Sequence, residues 1–289
     1  MSKITVPRAH AFDHALALTP VTATVHEQGR ESTRHWEGFA PSAYWNMVGP
    51  FGGITAAQAL HAVLLHPELL GEPVSFTVNF AAALSEGPFR IEARPVRTNR
   101  STQHWTVSQS QTDSEGMESV VLTATGVTAV RRPTWSAVDA VMPDVPAPET
   151  ITRASLPRPI AWLQRYDMRP CAGEIPQHWD GTEADSLTQL WMRDEPPRPL
   201  DFCSLLALAD VFYPRVWRRR ARMTPVGTVS MTVYFHAGSA ELAATGTGYL
   251  LGQARAQSFF NGFFDQSAEL WNQAGQLLAT THQIVYFKE

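Results

Sequence analysis

Cysteine is scarce. Cys171 and Cys203 are the only two in 289 residues, too few for a disulfide framework, so reduced thiols and a cytoplasmic home are expected. Metal-binding spacings such as CxxC or HExxH are missing, and no resident metal is expected. Charge is sparse as well: 17% of residues are charged and the net charge is -4, which argues against nucleic-acid or membrane-surface binding. No apolar run reaches the ~18 residues a membrane span requires. The opening twenty residues lack the apolar core and small-residue cleavage site of a secretory signal. No G-x-S-x-G elbow occurs, which disfavours hydrolysis through a serine acyl-enzyme.

What the chain does have is an internal echo. Val74-Ser75-Phe76-Thr77-Val78-Asn79-Phe80-Ala81 returns as Val229-Ser230-Met231-Thr232-Val233-Tyr234-Phe235-His236. Val121-Leu122-Thr123-Ala124-Thr125 has a counterpart in Leu277-Leu278-Ala279-Thr280-Thr281. An apolar helical stretch precedes each first block, Phe51 to His66 and Asp201 to Tyr213. The spacing is too long for a solenoid and suits a fused tandem pair of small domains.

The pattern divides the chain at 10–132, 133–184 and 185–289. Alternation predicts strands at Val21–Glu27, Val74–Ala81, Phe89–Arg97, Gln103–Gln111 and Glu118–Val130. In the second unit strands are expected near Gly227–Phe235, Leu242–Gln253, Gln257–Gln266 and Gln276–Lys288. The turn clusters at Asp113 to Gly116 and Asn272 to Gly275 match. Residues 133 to 200 hold about half of the 21 prolines. They also carry Trp162, Tyr166, Met168, Trp179 and Trp191, too many aromatics for a disordered linker, so the connector is expected to pack on the body.

Between Phe202 and Phe212 nearly every side chain is apolar or small, and a helix apolar all round is buried all round. Asp201 is its expected N-cap and Pro214 its stop. Gly53 to His66 is similar. A helix followed by antiparallel strands, twice over, predicts an α+β double hotdog: two curved antiparallel sheets, each around a central helix.

Asp210 is the acid that interrupts the second helix. An unpaired buried carboxylate is costly, so it needs donors or a raised pKa. It either turns to solvent or pairs with Arg215 or Arg218, or it is held for chemistry. Thr228 opens the repeated strand and Gln283 lies in the last one. The matching first-unit positions, Gly126 and Val127, carry no such groups, so the second unit holds most of the potential chemistry. Gly52-Gly53 would offer backbone N–H groups at a helix start, or would be a plain entry turn.

On these residues the whole chain resembles the TesB-like, type II acyl-CoA thioesterases. That resemblance implies a double hotdog in which Asp210, Thr228 and Gln283 hold one water for attack on an acyl-CoA thioester. Gly52 and Gly53 would face the oxyanion. Asn99, Arg100 and Ser101, or the arginine run from Arg215 to Arg222, would anchor CoA phosphates. CoA enters as part of the substrate and no further cofactor is implied. A homodimer or higher homo-oligomer is expected, because hotdog sheets leave edges and outer faces to cover. The chain departs from the family pattern at Ser230 and Met231, where an Asp-His pair is common, and at Gln257, where an Arg is common. A non-catalytic acyl-CoA-binding or scaffold protein therefore stays open, as does an enoyl-CoA hydratase using His61 or His66.

Overall fold

The computed structural model describes residues 9–21, 32–155, 160–175 and 185–288. The first half holds α1 (Ala11–Ala15), β1 (Thr19–Val21), β2 (Arg34–Phe39), α2 (Gly52–Leu64), β3 (Glu72–Phe80), β4 (Pro88–Thr98), β5 (Thr102–Thr112) and β6 (Glu118–Ala129). The second holds β7 (Tyr166–Ala172), β8 (Thr188–Asp194), α3 (Phe202–Leu208), α4 (Arg215–Arg220), β9 (Val226–Phe235), α5 (Ser239–Thr245), β10 (Leu250–Arg255), β11 (Phe259–Phe260), β12 (Phe263–Asn272) and β13 (Leu277–Phe287). The strand expected over Val21–Glu27 lies, past Val21, outside the described residues, as does Trp179.

Among the described residues one antiparallel sheet runs in the order β1-β2-β4-β5-β6-β3-β9-β13-β12-β10-β8-β7, with β11 paired to β12 off this path. The order is a palindrome of the two halves, so a pseudo-twofold axis passes between β3 and β9. Thr77 pairs with Thr232 there, and their hydroxyls meet at 2.9 Å across a separation of 155 residues. The spacing of the repeat in sequence is thus the relation between two equivalent residues at the axis. Arg131 ties the halves together by donating to Pro73 O and Phe235 O, each at 2.9 Å.

The helices lie on the sheet's buried side and touch one another. Ile54, Ala56, Ala57 and Ala59 of α2 have no exposure, and neither do Leu205, Leu206 and Ala207 of α3. The two meet closely at Gly53: a Cβ there would stand 2.7 Å from the carbonyl oxygen of Ala207. Asp201 caps α3 by accepting from the Ser204 N–H at 2.8 Å. The helix stops at Leu208 rather than running to Phe212. Its last turn tightens as the Asp210 N–H bonds Ala207 O at 3.1 Å, so Asp210 stands just beyond the helix, not within it.

Two strand expectations fail locally. Residues from Leu242 begin in a helix, because Ser239–Thr245 is rich in Ala, Glu and Leu and the Glu241 carboxylate accepts from the Gly238 N–H at 2.8 Å; strong helix formers with a capped start outweigh the strand pattern. The strand expected over Gln257–Gln266 is a hairpin. Asn261 and Gly262 take positive φ, 51° and 78°, the geometry an Asn-Gly turn supplies. In the connector, Tyr166–Ala172 pairs with β8 at the outer edge of the second half, and Trp191 Nε1 donates to Pro146 O at 2.9 Å.

Candidate active site

The start of α2 is not capped by its own N-cap side chain. Phe51 holds the N-cap position and makes no side-chain cap hydrogen bond, leaving N–H groups that need an acceptor. Asp210, delivered from the other half by the turn after α3, fills that role. The Gly53 N–H faces its carboxylate and favours the charged form. Oδ2 lies 2.9 Å from where a Cβ of Gly52 would be, so only glycine admits the acid there.

Gln283 holds the other oxygen. Thr281, Gln283 and Val285 form the buried row of β13, and the Gln283 Nε2 donates to Asp210 Oδ1 at 3.0 Å. It also meets Met231 Sδ at 3.3 Å on the facing strand. Among the described residues no cation shares the carboxylate: the Arg215 guanidinium donates to Ser186 O at 2.9 Å and to Thr188 Oγ1 at 2.7 Å, while Arg218 lies 3.9 Å from Asp185. Half-buried at its surface but crowded by protein, Asp210 is pushed up to about 7 by desolvation, against the pull of Gln283 and Gly53.

Thr228 reaches the same face through a bulge. Strict alternation from Met231, Val233 and Phe235 would turn Val229 inward and Thr228 out. The register instead steps from Ile284↔Ser230 to Val285↔Thr228, leaving Val229 as the extra residue. The bulge re-aims Thr228 onto the face of buried Val285, two pairs beyond Gln283. Among the described residues no hydrogen bond joins Thr228 to Asp210 or Gln283.

Asn99, Arg100 and Ser101 are not brought to this group. They form the β4–β5 turn, and just beyond it Gln103 bonds Glu68 O and the Leu70 N–H at 3.0 and 2.7 Å, which fixes that turn beside the C-terminal end of α2. Gly52 and Gly53 are at the other end, about 18 Å away along thirteen residues. The turn that does share an end with Thr228 and Gln283 is its pseudo-twofold mate, between β10 and β12. Beside it opens a cleft of about 360 Å³ lined by Arg219, Arg255, Gln257, Phe259 and Asp185.

The dyad-related position differs. The register places Gly126 opposite Phe76, as Gln283 stands opposite Met231; Gly126, not Val127, is therefore the counterpart of Gln283. A Cβ at Gly126 would meet the Phe76 ring at 2.8 Å, so the ring fills the space a longer side chain would need. His66 accepts the Glu68 N–H at 3.1 Å and bonds Ser32 O at 2.9 Å, and His61 faces Cys203 Sγ at 4.0 Å. Among the described residues neither ring hydrogen-bonds a carboxylate, the partner hydration chemistry requires. Sequence reasoning missed Gln266, buried and directly opposite Gln283, although alternation along β12 marks it. At the start of α2, Phe51 stacks on Trp162 at 4.2 Å and meets Tyr166 edge-on, so the connector's aromatics pack on the body there.

The raised pKa of Asp210 has a sign that can be tested. Between its ordinary value of 3.8 and about 7, the folded chain keeps a proton that the unfolded chain has released, so stability falls as pH rises through that window. Asp210→Asn removes this loss. By thermal or denaturant unfolding the variant is expected to exceed the wild type by ~1 kcal/mol or more at about pH 8 and to converge with it near pH 4. A constant difference across this range would contradict the assignment.

Residues 41–129 match the acyl-CoA thioesterase N-terminal domain, and residues 138–287 the acyl-CoA thioesterase C-terminal domain. The chain belongs to the acyl-CoA thioesterase family, and the resemblance drawn from its residues is borne out. A conserved protein of unknown function with a hot dog fold from Alicyclobacillus acidocaldarius is 49% identical, with a TM-score of 0.86 over 98% of this chain and 99% of that one. An acyl-CoA thioesterase II from Mycobacterium marinum, TesB2, shares the fold at 18% identity, with a TM-score of 0.71 over 96% of this chain and 98% of that one. No curated protein matches the chain. Among the described residues no helix is long and apolar enough to cross a membrane.

Proposed function

We propose that this chain hydrolyses acyl-CoA thioesters by a water activated at Asp210, within a double hotdog whose half-sheets each curl about a central helix. Asp210 takes a proton from the water, whose oxygen bonds the thioester carbonyl carbon. The carbonyl π pair moves onto oxygen, and the Gly52 N–H at the helix start receives that oxyanion, the Gly53 N–H being turned to the Asp210 carboxylate. Collapse breaks the C–S bond, and the leaving sulfur takes the proton back from Asp210, giving free acid and CoA. Gln283 orients the carboxylate, and Thr228, on the same face, orients the water. The reading is carried by one observation: a carboxylate with no counter-cation among the described residues, held between Gln283 and the glycine start of a helix, with its pKa lifted toward neutrality.

In the same proposal the CoA phosphates lie against Arg219 and Arg255, not against Asn99 to Ser101. From Gln266, opposite Gln283, to the start of β12 is three residues, about 10 Å of strand, and the arginine cleft adjoins that end, within reach of a pantetheine arm. Two copies are proposed to meet at the exposed apolar outer strip of Val229, Tyr234, Ile284 and Tyr286; a sedimentation mass of one chain would refute this. The function is tested by incubating purified protein with acyl-CoAs from short to long chains and titrating free thiol. Binding without thiol release would turn the reading to a non-catalytic acyl-CoA-binding protein. Arg219→Ala with Arg255→Ala is expected to raise KM about tenfold for CoA thioesters while leaving pantetheine thioesters unchanged.

A further inference from the structure

One strand away from the acid's partner, a buried amide is left unused. Gln266 of β12 stands directly opposite Gln283 of β13. Both side chains lie on the inner face of the sheet, each with 3% exposure, and Cβ atoms of such a pair are about 5 Å apart. The Gln283 amide nitrogen is committed: it donates to Asp210 Oδ1 at 3.0 Å and meets Met231 Sδ at 3.3 Å. The Gln266 amide makes no hydrogen bond among the described residues, nor is it one of the unbonded amides sealed from water, as Gln109 is.

The fold does not require a polar amide there. Trp105 pairs with Gly126 as Gln266 pairs with Gln283, so Trp105 is the pseudo-twofold counterpart of Gln266. It is 1% exposed, and its Nε1 donates to Thr128 Oγ1 at 3.1 Å. One half fills the position with a satisfied aromatic ring, whereas the other buries an amide without a partner, which costs stability until a partner arrives. A primary amide offers a donor and an acceptor side by side, the complement of a secondary amide. Toward the arginine cleft, the next inner-face residue of β12 is Phe264, its ring 5.7 Å from that of Phe259, which lines the cleft with Arg219 and Arg255. In an acyl-CoA, two methylenes separate the thioester sulfur from the first amide nitrogen, about one strand spacing or ~5 Å. A second amide, a branched apolar segment and the phosphates follow. Amide, apolar wall and cations thus occur along the protein in the order the arm presents them.

We propose that Gln266 is a specificity residue: its side-chain amide hydrogen-bonds the pantetheine amide nearest the thioester sulfur. The inference rests on the thioesterase reading and deepens it. It makes the enzyme select thioesters whose thiol carries an amide two carbons from sulfur over simple alkyl thioesters of the same acid. Gln283 holds the base and Gln266, its strand neighbour, holds the leaving thiol.

The test compares two thioesters of one acid, with N-acetylcysteamine and with ethanethiol, of which only the first carries the amide. Gln266→Met keeps the length of the side chain and removes its amide. It is expected to lower the ratio of kcat/KM for the first thioester to that for the second by about fivefold to tenfold, the worth of one neutral hydrogen bond. A ratio equal to the wild type's, whatever the absolute rates, overturns the proposal, because a merely structural role slows both thioesters alike. A second measurement needs neither variant nor turnover: a crystal structure of the wild-type chain with an S-alkyl-CoA thioether. The first pantetheine amide within hydrogen-bond distance of the Gln266 amide supports the proposal, and an amide satisfied elsewhere overturns it. Wild-type protein that releases no thiol but holds the thioether through Gln266 refutes hydrolysis and leaves this contact standing, whereas failure to bind the thioether refutes both.

Discussion

Asp210→Asn is expected to lower kcat for thioester hydrolysis by about 10²- to 10⁴-fold, the range for losing a general base. Asparagine keeps the size of the side chain and an oxygen that can accept from the Gln283 Nε2, now at 3.0 Å from Asp210 Oδ1. It cannot take a proton from water. Binding should therefore survive, and KM should change little while kcat falls. Free-thiol release against substrate concentration reads both. A variant that turns over as the wild type does would remove Asp210 from the mechanism. The wild-type rate should also climb with pH through about 7, because only the charged carboxylate is a base. The same desolvation that lifts the pKa toward neutrality makes the charged acid a cost to folding, which is why the inactive variant is expected to be the more stable one at high pH.

Gly53→Ala is expected to damage packing and chemistry together. The added Cβ would lie 2.7 Å from Ala207 O, and neither backbone can retreat without parting α2 from α3. Overpacking of this kind costs about 1–3 kcal/mol. The consequence reaches chemistry, because the Gly53 N–H faces the Asp210 carboxylate and Asp210 follows α3. Moving the helices apart moves donor and acid apart. A loss of at least about tenfold in kcat is expected alongside the fall in melting temperature, since small misplacements of catalytic groups are costly. If the variant melts lower but retains full kcat, the helix seam supports the fold without positioning the acid.

Much of the candidate site was legible in the residues. Asp210 stands out because a lone acid in an apolar stretch requires an explanation, and Gln283 because its neighbours at alternate positions are apolar. The repeat was legible because Thr77 and Thr232 lie in two copies of one strand. Other features were hidden for physical reasons. Thr228 faces inward through a bulge at Val229, and one extra residue reverses a parity that sequence alternation takes as constant. Asn99, Arg100 and Ser101 look like a polar strand entry suited to phosphates, but which end of α2 they adjoin depends on strand direction and pairing. The end of the helix Ser239–Thr245, from Leu242 on, reads as strand in sequence because Leu and Ala suit either state, and the Glu241 cap decides it.

The order of apolar and polar residues alone determined that two equivalent units would form, each burying an apolar helix, since such a helix has no other way to leave water. Tertiary structure decided where the two units touch. The pseudo-twofold pairing of β3 with β9 and the close crossing at Gly53 carry the acid of one unit to the uncapped helix start of the other. No local pattern encodes that meeting, because its partners lie more than 150 residues apart and are joined only by packing.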